Sequence, residues 1–86
     1  MNANYIRGVR KERKIKTEYE KNGWICLRSA GSHGFADVVC IHPEKEIIRF
    51  IQCKPESMSN KKKEELTKMW NERIYGEDYQ VDFIVV

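Results

Sequence analysis

The run Ile47-Ile48-Arg49-Phe50-Ile51-Gln52-Cys53-Lys54 constrains the fold most. Its residues are apolar on both faces apart from Arg49 and the polar end. A strand of that kind is stable only when covered on both sides, so the segment predicts a central strand of a sheet. Pro55 follows directly. It cannot donate to a ladder and holds Lys54 extended, so the strand should finish at Lys54.

The flanking segments supply the covering layers. Asn4 to about Asn22 reads as a helix, with Val9, Glu12, Ile15 and Tyr19 at helical spacing and Asn22-Gly23 as its stop. Trp24–Arg28 reads as a strand. Ser29–Phe35 is a Gly/Ser-rich loop, S-A-G-S-H-G-F. Ala36–His42 is a second strand with the compact run Val38-Val39-Cys40-Ile41, and Pro43–Glu46 makes a turn into the central strand. Asn60–Tyr75 reads as a second helix with Leu66, Met69, Trp70 and Ile74 inward, capped by Ser59 or Asn60 and ended by Gly76. Gln80–Val86 is a last strand. The order α-β-β-β-α-β implies one α/β domain over residues 1–86, with a mixed sheet flanked by helices.

Size and composition exclude several classes. Eighty-six residues suffice for one domain. No apolar run approaches the roughly 20 residues of a membrane helix, and the N-terminus lacks a signal-peptide core, so a cytoplasmic protein is expected. The three cysteines, Cys26, Cys40 and Cys53, are odd in number and widely spaced. They predict neither a disulfide framework nor a zinc site, but small core residues. Trp24 and Trp70 are likewise expected in the core, and His42 as a structural or solvated turn residue.

Charge is distributed unevenly. The net charge is only +3. Residues 1–16 nevertheless carry Arg7, Arg10, Lys11, Arg13, Lys14 and Lys16 against one acid, and Lys61-Lys62-Lys63 form a second basic cluster. Clustered positive charge suits a polyanion, and nucleic acid is the commonest. Arg7, Arg10, Lys11, Arg13, Lys61 and Lys62 are the candidate phosphate contacts. Arg28, Ser29, Ser32 and His33 of the strand end and loop join them.

Against that basic background, a few polar residues sit where a core is expected. Glu12 lies within the apolar stripe of the first helix, a costly position for an unpaired carboxylate. Residues two apart on a strand share a face, so Gln52 and Lys54 project together. If the second and third strands form a hairpin, Asp37 lies across from about residue 52. The predicted cluster is then Glu12, Asp37, Gln52 and Lys54. Two carboxylates and an amide oxygen are hard donors of the kind magnesium takes, with manganese as a substitute.

Gly8-x-x-x-Glu12, the S-A-G-S-H-G-F-A-D run ending at Asp37, and I-Q-C-K at 51–54 together resemble the PD-(D/E)XK nuclease superfamily, most closely the archaeal Holliday-junction resolvases. Arg28-Ser29 with Ser32 match the R-S-x-x-S loop of those enzymes. The resemblance covers nearly the whole chain. It implies a restriction-endonuclease-like fold and a dimeric, metal-dependent DNA endonuclease acting on four-way junctions. Glu12 and Asp37 would hold metal, Lys54 would be the motif lysine, and Ser32 would lie near the scissile phosphate. Gln52 stands where resolvases have an acid, which should weaken metal binding. Q-x-K also occurs in Mrr-like restriction endonucleases, so a restriction or general nuclease is the alternative. A non-catalytic DNA-binding module that kept the fold is a further one.

Overall fold

The computed structural model describes residues 3–29, 36–73 and 76–86, with side chains from residue 8 onward. Its elements are α1 (Ala3–Lys21), β1 (Ile25–Arg28), β2 (Val38–His42), β3 (Ile47–Gln52), α2 (Asn60–Asn71) and β4 (Gln80–Val85). They form a four-stranded mixed sheet of order β1-β2-β3-β4 with two helices. Both β1–β2 and β2–β3 are antiparallel, whereas β3–β4 is parallel and is bridged by α2. The apolar 47–52 run is therefore central in the sheet, but it is covered on the α1 side alone among the described residues: Ile51 is buried, whereas Ile48 and Phe50 on the other face stay half-buried.

Alternation along the strands builds the core. On one face Val38, Cys40 and Ile51 are fully buried, and Cys26, Cys53, Ile84 and Val86 pack around them with Ile15 and Tyr19 of α1. The chain leaves α1 through Gly23 at φ 88°, the left-handed turn that Asn22-Gly23 predicts. Cys40 is buried and the other two cysteines half-buried, all as free thiols. Trp24 and Trp70 both sit in packed aromatic contacts: Trp24 against Tyr19 and His42, Trp70 against Phe83. His42 is buried, and its Nδ1 accepts from the Lys45 amide at 3.2 Å, a structural role.

The second helix departs from its sequence reading. It ends at Asn71 and not at Tyr75, Met69 is 36% exposed, and Lys63 takes a buried position. Ile74 and Tyr75 lie outside the described residues. The physical reason is that α2 covers the open hydrogen-bonding edge of β4 as well as its apolar face. Asn71 donates to the Phe83 carbonyl at 2.7 Å and accepts from the Phe83 amide at 2.8 Å. Thr67 Oγ1 accepts from the Val85 amide at 2.9 Å. An edge strand's unpaired amides and carbonyls need such partners, so polar residues occupy part of the inward stripe.

Four strand ends also differ from the sequence reading by one or two residues, and the two larger differences meet at Asp37. The second strand begins at Val38 and the third ends at Gln52. The Cys53 amide, instead of continuing a ladder, donates to Asp37 Oδ2 at 2.8 Å.

Candidate active site

Asp37 is fixed by its backbone before its side chain does anything. Its amide donates to the Ile51 carbonyl and its carbonyl accepts from the Ser29 amide, both at 2.8 Å. The β2–β3 register pairs Val38 with Ile51, so its continuation sets Asp37 opposite Gln52. That is the pairing the hairpin argument predicts. The Cys53 amide then orients one carboxylate oxygen.

Glu12 approaches from α1. Its side chain is only 14% exposed, and its Oε1 lies 3.4 Å from a guanidinium nitrogen of Arg28. Gly8 stands one turn earlier on the same helix face. A Cβ there would lie 3.9 Å from Glu12 Oε2, so glycine keeps that side of the carboxylate open. Burial, and then the negative charge of Asp37, push the Glu12 carboxyl above the usual glutamate range, while Arg28 pulls the other way. Glu12 and Asp37 are thus electrostatic neighbours with incomplete compensation. Cys53 lies between the two regions. Its thiol is pushed up to about 12 by burial and by Asp37 and Glu12, with Lys11 and Lys63 opposing.

Gln52 and Lys54 are reached through the end of β3. They alternate with Ile51 and Cys53, whose side chains join the α1-side core. Gln52 and Lys54 therefore leave the strand on the face that the cross-strand position, Asp37, also occupies. The backbone there is held firmly: the Val86 amide donates to the Gln52 carbonyl, and the Lys54 amide donates to the Val86 carbonyl, both at 2.9 Å. Among the described residues, the Lys54 ammonium forms no ion pair. No group of three His, Cys, Asp or Glu side chains converges in a metal-binding arrangement among the described residues. Two carboxylates come together there, not three.

The remaining predicted contacts divide. Ser32 and His33 lie outside the described residues, as does the side chain of Arg7. Arg10, Arg13, Lys61 and Lys62 are exposed. Ser29 lends its amide to Asp37. Arg28 turns inward onto Glu12. Its alternation with the inward-facing Cys26 is the sequence signal for that direction. Lys11 reaches the Lys54 carbonyl and Glu56 Oε1, each at 2.9 Å. No pattern in the sequence marks Glu56 as its partner, because the contact spans 45 residues.

No helix among the described residues is long and apolar enough to cross a membrane. No curated protein and no solved structure gave a significant match. The profile of the archaeal Holliday junction resolvase family, by contrast, matches residues 3–82. With that match spanning nearly the whole chain, and the α-β-β-β-α-β fold already in hand, the chain belongs to the archaeal Holliday junction resolvase family of the PD-(D/E)XK nuclease superfamily.

Proposed function

We propose that this chain is a divalent-cation-dependent endonuclease that hydrolyses phosphodiester bonds of four-way DNA junctions as a homodimer. One observation carries the reading. Glu12 and Asp37 are drawn together at the end of the sheet, and the ionisation of Glu12 is disfavoured there by burial and by Asp37. Arg28 lies 3.4 Å from Glu12 and the Cys53 amide donates to Asp37, yet the charge of Asp37 still opposes the ionisation of Glu12. That ionisation becomes favourable when a cation joins the carboxylates.

The donor chemistry fits magnesium, with manganese as a substitute. Asp37 and Glu12 offer carboxylate oxygens, Gln52 offers an amide oxygen from the position opposite Asp37, and water fills the rest. Bound there, the cation would lower the pKa of a coordinated water and offset charge on the phosphate. The protein's own residues do the positioning. The Cys53 amide holds Asp37, and Arg28 limits the charge cost of Glu12. Lys54 orients the attacking water or balances the charge of the scissile phosphate. Ser32 of the loop contacts that phosphate. Gln52 supplies one charge fewer than the acid of related resolvases, so metal binding should be weak.

A second copy suits both substrate and surface. A four-way junction is two-fold symmetric, and a two-fold dimer can cut one strand with each subunit. On the sheet face opposite α1, no helix among the described residues lies over β1, β2 or β3, since α2 contacts β4 alone among the strands. Ile25 and Leu27 are 65% and 58% exposed on it, next to half-buried Val39, Ile41 and Ile48. Such a patch, free of charge, suits protein better than a polyanion.

Cleavage of junction, flap, duplex and single-stranded DNA with magnesium or manganese tests the reading. Paired nicks in the junction are expected. Asp37→Asn and Lys54→Ala should lower the rate on the order of 10²–10³-fold while junction binding persists. Cutting of duplex with the junction left intact moves the assignment to a restriction or general nuclease. The pairing of only two carboxylates, with Gln52 in place of an acid, favours one other reading, a DNA-binding module without activity. Binding without cleavage in wild type would establish it.

A further inference from the structure

A cleft of about 530 Å³ opens between α1 and α2, beside the carboxylates but distinct from them. Lys11, Lys63 and Lys68 line it with Asn60 and Thr67, and the end of β4 forms its floor through Val85 and Val86. Two acids also border it, Glu56 and Glu64. Glu56 is 86% exposed at its side chain and already paired with Lys11 at 2.9 Å.

Lys63 is the unusual member. It is only 9% exposed, yet its ammonium forms no hydrogen bond or ion pair with any described residue. A lysine buried to that degree is normally paired. No buried nitrogen is left without a partner among the described residues, so the stem is covered while the tip reaches the cleft. The backbone of Lys63 is meanwhile fully used: its amide donates to the Ser59 carbonyl, and its carbonyl accepts from Thr67. Exposed lysines would lose little by pointing to bulk water. Lys63 instead buries its stem and holds its ammonium at the cleft, where Glu56 feels its charge without hydrogen-bonding to it.

The cleft adjoins the candidate active site. Lys11 spans the two, since its ammonium also donates to the Lys54 carbonyl at 2.9 Å. Cys53 feels both sides, with Asp37 and Glu12 on one and Lys11 and Lys63 on the other.

We propose that this cleft is a second phosphate subsite, in which Lys63 and Lys11, with Lys68 at the mouth, hold a backbone phosphate of the bound nucleic acid next to the one that is cut. The proposal rests on the nucleic-acid reading above. A phosphodiester brings an oxyanion that the Lys63 ammonium, which hydrogen-bonds no described residue, can hold, and its position fixes the register of the strand over Asp37. Because the contact is to phosphate, it carries no base specificity.

Salt dependence of DNA binding tests it. Binding of labelled junction and duplex DNA by wild type, Lys63→Met, Lys63→Arg and Lys68→Gln is followed by anisotropy across a salt series, without divalent metal. Lys63→Met keeps the buried stem and removes the charge. It should lower the magnitude of the log–log salt slope by about 1, which weakens binding roughly eightfold near 0.1 M salt. The loss should be equal on junction and duplex, and Lys63→Arg should recover most of it. Lys68→Gln lies on an exposed part of α2 and should shift the slope in the same direction even if Lys63→Met fails to fold. Folded variants with the wild-type slope overturn the subsite alone. Wild type that binds no DNA overturns the functional reading along with it. Calorimetric titration with inorganic phosphate separates a free anion from a backbone phosphate. Saturation by phosphate together with an unchanged DNA slope in the variants reassigns the cleft and overturns the proposal.

Discussion

Charged groups stand at both ends of the sheet along α1, and the two ends treat them in opposite ways. At one end Arg49 is neutralised completely. Its guanidinium lies 2.9 Å from Asp82 Oδ2, donates to the Tyr19 hydroxyl at 3.4 Å, and stacks 5.0 Å from the Trp24 ring centroid. His42 closes the cluster from the other side of Trp24. At the other end the charge of Asp37 raises the Glu12 carboxyl, with Arg28 at 3.4 Å from Glu12 opposing it. The same helix supplies both, Tyr19 to the first and Glu12 to the second. The first end satisfies its charges for the sake of the fold. The second sets the charge of Asp37 against the ionisation of Glu12, an opposition that the proposed cation would offset.

Breaking the satisfied end should have the largest effect on stability. Arg49→Ala removes the partner of Asp82 and uncovers Trp24, and should destabilise the protein by about 1–3 kcal/mol in chemical denaturation. Junction cleavage well below the melting transition should persist, because no residue of that cluster belongs to the candidate site. A variant of wild-type stability would erase the contrast between the ends.

Relieving the carboxylate end should have a smaller effect of the opposite sign. The Glu12 carboxyl is held above its usual range by burial and by Asp37. A group raised in the folded state contributes stability below its unfolded pKa and loses it as pH rises through the folded value. Without metal, wild type should therefore lose stability through this group from the ordinary glutamate range upward. Glu12→Gln mimics the protonated form and escapes that loss. Its Tm should match wild type near pH 4 and exceed it slightly at neutral pH, while cleavage is lost. A Tm below wild type at neutral pH would mean that the Arg28 pair outweighs the repulsion.

Much of this arrangement was legible in the sequence, and the parts that were not have physical causes. The two-sided apolar run gave a central β3, Asn22-Gly23 gave the end of α1, and the 43–46 turn gave the pairing of Asp37 with position 52. Each is a local pattern tied to one geometry. The inward face of α2 was misread because an apolar stripe was expected where the helix covers a strand edge. Thr67 and Asn71 serve backbone groups there, which no hydrophobic period reveals. The pairing of Arg28 with Glu12 depends on α1 crossing β1, which no local pattern shows. The polar member Lys63 was indistinguishable from its exposed neighbours Lys61 and Lys62 until the packing of α2 was known.

The most direct measurement of the central claim is thermal unfolding of wild type and Asp37→Asn with and without magnesium or manganese. If Glu12 and Asp37 form one cation site, metal binds the folded protein preferentially and raises the wild-type Tm in a concentration-dependent way. Asp37→Asn should start no less stable without metal and gain little from it. Equal metal-induced shifts in both proteins, or none in wild type at saturating manganese, would contradict the claim that this end of the sheet is built to hold a cation.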